Sequence, residues 1–138
     1  MLLFVLAALL AMSQTSTPLE IRTVVKGSMS GIESPQQVIV RSTAEWSALW
    51  KRHDPNGPIP SIDFSREMVL GVFLGRRPTA GFAIEIVKAV GNSGTLIVEY
   101  AETAPPRDLV TAQVLTAPYH LAAISKYDGE VRFQRVVK

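Results

Sequence analysis

The segment from Asp63 to Ile86 constrains the fold of this chain more than any other. A continuous apolar run, Met68–Leu74, leads into a charged turn, Gly75–Gly81, and a second apolar run follows in which polar residues alternate. A run that is apolar at every position is typical of a strand covered on both faces, whereas alternation indicates a strand with one buried face. The segment therefore predicts two successive strands joined by a specialised turn.

Short apolar runs elsewhere in the chain predict further strands. Their predicted bounds are Leu19–Lys26, Gln37–Arg41, Gly81–Ala89, Thr95–Glu102, Val110–Leu115, Tyr119–Ser125 and Val131–Val137. The string Asn92–Gly94 indicates a tight turn into the strand that starts at Thr95, and Asp128 with Gly129 indicates a hairpin into the last strand. Most of the connections are short, which favours antiparallel pairing.

One helix is predicted, beginning after Ser42. Ser42 and Glu45 have the spacing of a capping box, and Pro55 disfavours a helical conformation at Asp54. Four large side chains then share one helical face: Trp46, Leu49, Trp50 and His53. These elements predict an α+β fold, a mostly antiparallel β-sheet domain with one amphipathic helix packed on it.

The first residues of the chain predict export. Met1–Met12 is apolar but shorter than the roughly 20 residues that span a bilayer, and small and polar residues follow it. We expect a signal peptide at residues 1–13, a single domain at residues 14–138, and a periplasmic or extracellular location. The chain has no cysteine, so we expect no disulfide and no lipid anchor that would hold it stably at a membrane. A net charge of +2 gives no reason to expect nucleic acid as a partner.

Catalytic motifs are absent from the sequence. The only histidines are His53 and His120, and no serine-hydrolase, zinc-protease or P-loop pattern occurs. Ser65, His120 and Asp63 do not have a spacing that supports a catalytic triad. We expect Asp63 to cap the turn before the next strand, as aspartate often does. The sequence predicts a protein that is not an enzyme and needs no metal and no cofactor.

Four segments occur in an order that resembles the PrcB-like family, which is named for an accessory subunit of a secreted bacterial protease complex. They are Glu45–Trp50, Asp63–Leu70, Gly75–Phe82 and Thr116–Leu121, and the resemblance extends from about Ser28 to Ser125. It implies an exported protein that associates with a protease or stabilises it, and it does not imply that this protein cleaves anything.

The resemblance has one departure in its turn, where the family usually has Thr-Gly-Gly and an aromatic residue. Here Ala80 replaces the first glycine. Because alanine disfavours positive φ, we expect Ala80 to be in an ordinary conformation and Gly81 to adopt any left-handed one.

The charged turn is the predicted partner-binding site. Arg76, Arg77 and Thr79 are expected to make polar contacts with a protein partner, while Pro78 and Gly81 set the shape of the turn. The same residues would also suit a turn that only reverses the chain direction, so the sequence is consistent with a binding role, a structural role or both.

Two other functions remain open. The string from Pro78 to Phe82 is similar to a loop of chagasin-like cysteine-protease inhibitors, which suggests an inhibitor acting through Arg76–Gly81. A small-ligand or envelope-binding module would instead use the apolar sheet face with Trp46 and Trp50, although two tryptophans one turn apart are more typical of a core.

Overall fold

The computed structural model describes residues 16–137, so the predicted signal peptide at residues 1–13 lies outside the described residues. Eight strands and one helix follow one another within this part of the chain. In chain order they are β1 (Thr17–Leu19), β2 (Arg22–Gly27), β3 (Gln36–Val40), α1 (Thr43–His53), β4 (Glu67–Phe73), β5 (Ala83–Asn92), β6 (Thr95–Thr103), β7 (Tyr119–Ser125) and β8 (Glu130–Arg135). The predicted α+β class, mostly antiparallel sheet with one helix, is confirmed.

The strands form two four-stranded sheets. One has the order β1-β5-β6-β8 and the other the order β2-β7-β4-β3. Every neighbouring pair is antiparallel except β6 and β8, which run parallel. The two sheets bury a shared core between them, and α1 covers the opposite face of the second sheet. The domain therefore has three layers rather than the single sheet and helix that the sequence predicted.

Strand β4 is covered on both faces, as its sequence predicted. Met68, Leu70 and Val72 belong to the core between the sheets. Val69 and Phe73 point the other way and pack with the tryptophans of α1. Since fully burying one such side chain contributes roughly 1.5–3 kcal/mol, both layers of the core depend on this strand.

Helix α1 begins and ends where the sequence predicted. The Oγ of Ser42 accepts the Glu45 N–H at 3.2 Å, and the Glu45 carboxylate accepts the Arg41 N–H at 2.9 Å. The helix ends at His53, and the N–H of Asp54 closes its last turn. The capping box is therefore formed, with Glu45 reaching one residue further back than the cap itself.

The predicted first strand, Leu19–Lys26, is wrong as a single element. Its two ends lie in different sheets, because β1 pairs with β5 whereas β2 pairs with β7. The chain crosses between the sheets near Ile21, which packs with Leu19 against the core between them. The apolar alternation continues across this point, so the sequence pattern carried no sign of the crossing.

Two predictions near the C-terminus are also wrong. Asp128 and Gly129 do not form a hairpin between β7 and β8, because β7 already lies between β2 and β4 and has no free edge. The chain instead crosses to the other sheet, where β8 runs parallel to β6. The predicted strand Val110–Leu115 is an irregular segment of the β6–β7 connection, and the side chain of Val110 is 96% exposed.

Candidate functional site

The predicted binding turn, Gly75–Gly81, is separated from the end of β4 at Phe73 by one buried residue, Leu74. Gly75 has φ 85° and Gly81 has φ 94°, whereas Ala80 has no positive φ. The expectation that Gly81 carries the left-handed conformation is confirmed. A Cβ at Gly81 would lie 2.8 Å from the Cβ of Pro105, so this position combines a left-handed backbone with a close contact.

The turn is held in place by the long loop, which we define as residues 104–118 between β6 and β7. Arg77 and Thr116 exchange backbone hydrogen bonds of 2.7 and 2.9 Å, and the Ala80 N–H donates to the Ala112 carbonyl at 3.0 Å. The Thr116 hydroxyl donates to the Thr79 carbonyl at 2.9 Å. The turn is therefore a braced ridge rather than a free loop.

Arg77 faces one side of this ridge. Its guanidinium lies 5.7 Å from the centroid of the Phe82 ring, and within residues 16–137 no carboxylate forms an ion pair with it. The side chain lines a surface cleft of about 330 Å³, here called the Arg77 cleft. The cleft is lined by Leu74, Arg77, Pro78, Phe82, Glu102, Thr103, Ala104 and Arg135. It combines an apolar floor with positive charge at its rim.

Arg76 faces the other side of the ridge. Its guanidinium lies 3.6 Å from the Glu33 carboxylate, and both side chains are more than half exposed. It lines a second cleft of about 380 Å³, the Arg76 cleft, together with Met29 and Leu115 among others. The two adjacent arginines therefore serve two different surfaces, a division that sequence reasoning did not anticipate.

The other predicted contact residues differ in how exposed they are to a partner. Pro78 is exposed at the ridge, and Gly81 is also exposed. Thr79 is half-buried, and its hydroxyl donates to the Ala80 carbonyl at 3.0 Å. The structure brings the five predicted residues together on one ridge, and their contact with a partner remains a prediction.

Several exposed aliphatic side chains lie in the long loop that braces the ridge. Eight large hydrophobic residues are exposed among those that the structure describes, and four of them belong to this loop: Leu109, Val110, Val114 and Leu115. A fifth, Met29, lines the Arg76 cleft together with Leu115. The exposure of Val110, Val114 and Leu115 was not predicted, because the sequence pattern indicated a strand at Val110–Leu115, in which about half of the side chains would be buried.

The two tryptophans do not offer a ligand-binding surface. Trp46 is 2% exposed and Trp50 is 6% exposed. Their indole N–H groups donate to the carbonyls of Pro60 and Gly57 at 2.9 and 3.1 Å. Both rings therefore belong to the core under the helix, as the sequence favoured.

His53 is buried at the end of α1 and contacts a serine. The Ser30 Oγ accepts the Ile32 N–H at 3.0 Å and lies 2.8 Å from the His53 Nδ1, to which its hydroxyl can donate. Burial lowers the pKa of His53, and Asp54 partly opposes this. Among the hydrogen bonds of residues 16–137, none joins a carboxylate to the other ring nitrogen. The pair fastens the segment before β3 to the helix end.

His120 is also structural, and it does not meet Ser65. Its Nδ1 accepts the Ile86 N–H at 2.9 Å, and its Nε2 lies 2.9 Å from the Thr23 hydroxyl. Ser65 instead bonds the Asp63 carboxylate through both its N–H and its hydroxyl. These bonds lower the pKa of Asp63, and they confirm its role in capping the turn before β4.

Residues 16–137 contain no group of three histidine, aspartate or glutamate side chains placed to hold a metal ion. In the same part of the chain, no helix has the length and apolar character needed to cross a membrane.

Comparison with known proteins supports the family resemblance. A family model described as PrcB C-terminal matches residues 68–125, from the start of β4 to the end of β7. This range contains the turn and the long loop, and over these residues the match confirms the predicted resemblance to the PrcB-like family. No curated protein and no solved structure matches the chain.

Proposed function

We propose, from the match of residues 68–125 to the PrcB C-terminal family, that this chain is an exported, non-catalytic domain that binds another protein. The partner we propose is a secreted protease, for which this chain acts as an accessory or stabilising subunit. The matched range, residues 68–125, includes the whole ridge, so the family assignment and the candidate site coincide in the chain.

The observation that carries this proposal is the composition of the surface around Gly75–Gly81. Arg76 lines a cleft with the exposed Met29 and Leu115, and Arg77 lines the other cleft with Leu74 and Phe82. The loop that braces the turn also exposes Leu109, Val110 and Val114. Arginine and methionine are enriched in protein interfaces, and binding energy concentrates where such side chains become fully desolvated. Exposed apolar side chains rimmed by polar residues are typical of protein interaction sites.

The proposal is tested by crosslinking and pull-down of the tagged full chain from its native host. The test variant replaces Arg76 and Arg77 with alanine. A matched control replaces Arg66 and Arg132, which are exposed arginines outside the ridge, so that the change in net charge is the same. We expect a protease that the wild type and the control recover and the test variant does not.

A second assay distinguishes a stabilising subunit from an inhibitor. If the recovered protease is incubated with a stoichiometric amount of the domain, we expect a longer active lifetime and an unchanged initial rate of cleavage. A fall in the initial rate would instead support inhibition through Arg76–Gly81. Recovery of no protein above the level of the test variant would contradict the binding role altogether.

A further inference from the structure

Strand β6 has an open edge at its C-terminal end, inside the Arg77 cleft. The parallel pairing of β6 with β8 stops at Tyr100 and Arg135, and the Val136 N–H then donates to the Tyr100 carbonyl at 2.8 Å. Strand β6 continues to Thr103, where it pairs only with β5. Within the described part of the chain, the last residues of β6 therefore have no strand on the side of β8.

The open edge presents main-chain groups to the cleft. Along a strand, the N–H and C=O groups of alternate residues point to the same edge. The Tyr100 carbonyl points toward β8, so the N–H and C=O of Glu102, two residues later, point to the gap. Glu102 lines both the Arg77 cleft and the adjoining cleft of about 570 Å³ at the end of β8. The end of the described chain does not fill this gap, because Val137 is 100% exposed.

The charges of the cleft favour an acidic occupant. Arg135 already pairs with the Glu102 carboxylate at 3.1 Å. The Arg77 guanidinium lies over the Phe82 ring, and no carboxylate among residues 16–137 pairs with it. A guanidinium packed on an aromatic ring keeps its N–H donors available for a carboxylate in the plane of the guanidinium. The floor below it is apolar, formed by Leu74 and Phe82.

We propose that the protein partner adds a short extended segment to the edge of β6 at Glu102. Main-chain hydrogen bonds to Glu102 hold the segment, an acidic side chain of the segment binds Arg77, and an apolar side chain packs on Leu74 and Phe82. This is strand addition, in which the backbone supplies affinity and side-chain pockets supply specificity. This inference rests on the proposed function. It adds that an extended segment of the partner binds in the Arg77 cleft.

The test uses a blocked pentapeptide, valine-aspartate-aspartate-valine-valine, and the ¹⁵N-labelled full chain. Each face of this peptide, when extended, carries both an acidic and an apolar side chain. A control peptide has asparagine in place of both aspartates. We expect amide chemical-shift changes at Glu102, Thr103 and Ala104 with the acidic peptide, and about tenfold weaker binding of the control peptide.

Variants locate the charge contact. Arg77→Gln should lower the affinity for the acidic peptide about tenfold. Arg66→Gln, at the far end of β4, should leave that affinity unchanged. Arg135→Gln provides a second variant at an exposed position. It leaves the Glu102 carboxylate without its partner, and repulsion between this carboxylate and the acidic side chains of the peptide should also weaken peptide binding. The amide spectrum of each variant reports whether it is folded.

Outcomes separate this inference from the proposed function. Shift changes absent from Glu102 at millimolar peptide, or equal affinity for wild type and Arg77→Gln, would overturn strand addition even if the pull-down recovers a protease. Peptide binding at Glu102 that depends on Arg77 would support the inference even if no protease is recovered, and the proposed partner would then be wrong.

Discussion

Replacing His120 with asparagine should remove a pH dependence from the stability of this domain. The imidazole is 2% exposed, and its Nδ1 accepts the Ile86 N–H beside the irregularity in β5 where the register shifts. Because Nδ1 accepts, the ring proton must be on Nε2, which donates to the Thr23 hydroxyl. Protonation of Nδ1 would set two donors against each other. An asparagine oxygen can accept the Ile86 N–H and does not titrate.

The magnitude follows from the pKa of His120. Burial is the main cause that lowers it from 6.5 to about 4, Lys26 adds to the effect and Glu85 opposes it. The folded state therefore binds its proton less readily than the unfolded state. Stability is complete above pH 6.5 and is lost as the pH falls from 6.5 to about 4. At about 1.4 kcal/mol for each tenfold change in proton affinity, the total loss is about 3 kcal/mol, of which about 2 kcal/mol is reached by about pH 5.

The assay is urea unfolding of wild type and His120→Asn, followed by the fluorescence of the buried tryptophans. At neutral pH the variant should be less stable, since it loses the bond to Thr23 and part of the ring packing. At about pH 5, wild type should have lost about 2 kcal/mol of its free energy of unfolding relative to the variant. The carboxylates and His53 titrate in both proteins, so their contributions cancel in this difference. A difference that stays constant with pH would refute the assigned protonation state of His120.

Three further predictions test the local geometry by urea unfolding, two of them with a matched control substitution. Gly81→Ala should destabilise the domain by about 2–3 kcal/mol, because the new Cβ would lie too close to Pro105 and the backbone conformation disfavours alanine. Gly94 also has a positive φ, 85°, but open space around it, so Gly94→Ala should destabilise by only about 1 kcal/mol. Equal losses of stability would contradict the close contact at Gly81. Ser42→Ala should cost about 1 kcal/mol through the lost N-cap, and Ser42→Asn, which also caps, should restore most of it. Arg41→Ala should cost about 1–3 kcal/mol, because the guanidinium bonds two carbonyls of the β7–β8 connection; an unchanged midpoint would show that water replaces those bonds.

Local features of the fold could be predicted from the sequence because they depend on neighbours in the chain. The capping box of α1, the strand covered on both faces and the left-handed conformation of Gly81 each follow from a few adjacent residues. The partition into two sheets did not follow, because alternating residues look the same in either sheet. The long-range strand pairing shows that Leu19 and β2 belong to different sheets.

The candidate site was predicted in part for the same reason. The turn that carries Arg76 and Arg77 is a contiguous segment, and its glycines and proline indicated its shape. The walls of the two clefts come from distant segments, with Met29 and Glu33 on one side of the ridge and Glu102 and Arg135 on the other. No sequence spacing relates these residues to the turn. The parallel pairing of β8, which leaves the edge at Glu102 open, was not predicted either.

The position of Leu74 links the stability of the domain to the shape of its candidate site. Leu74 is 2% exposed in the core between the sheets and also forms part of the floor of the Arg77 cleft. Truncating a buried leucine to alanine costs about 2–5 kcal/mol and leaves a cavity, so Leu74→Ala would weaken the fold and deepen the cleft together. Arg77→Gln changes only the rim. Binding that is lost in the Arg77 variant while its unfolding midpoint is unchanged therefore reports on the contact itself, whereas the same loss in the Leu74 variant would not.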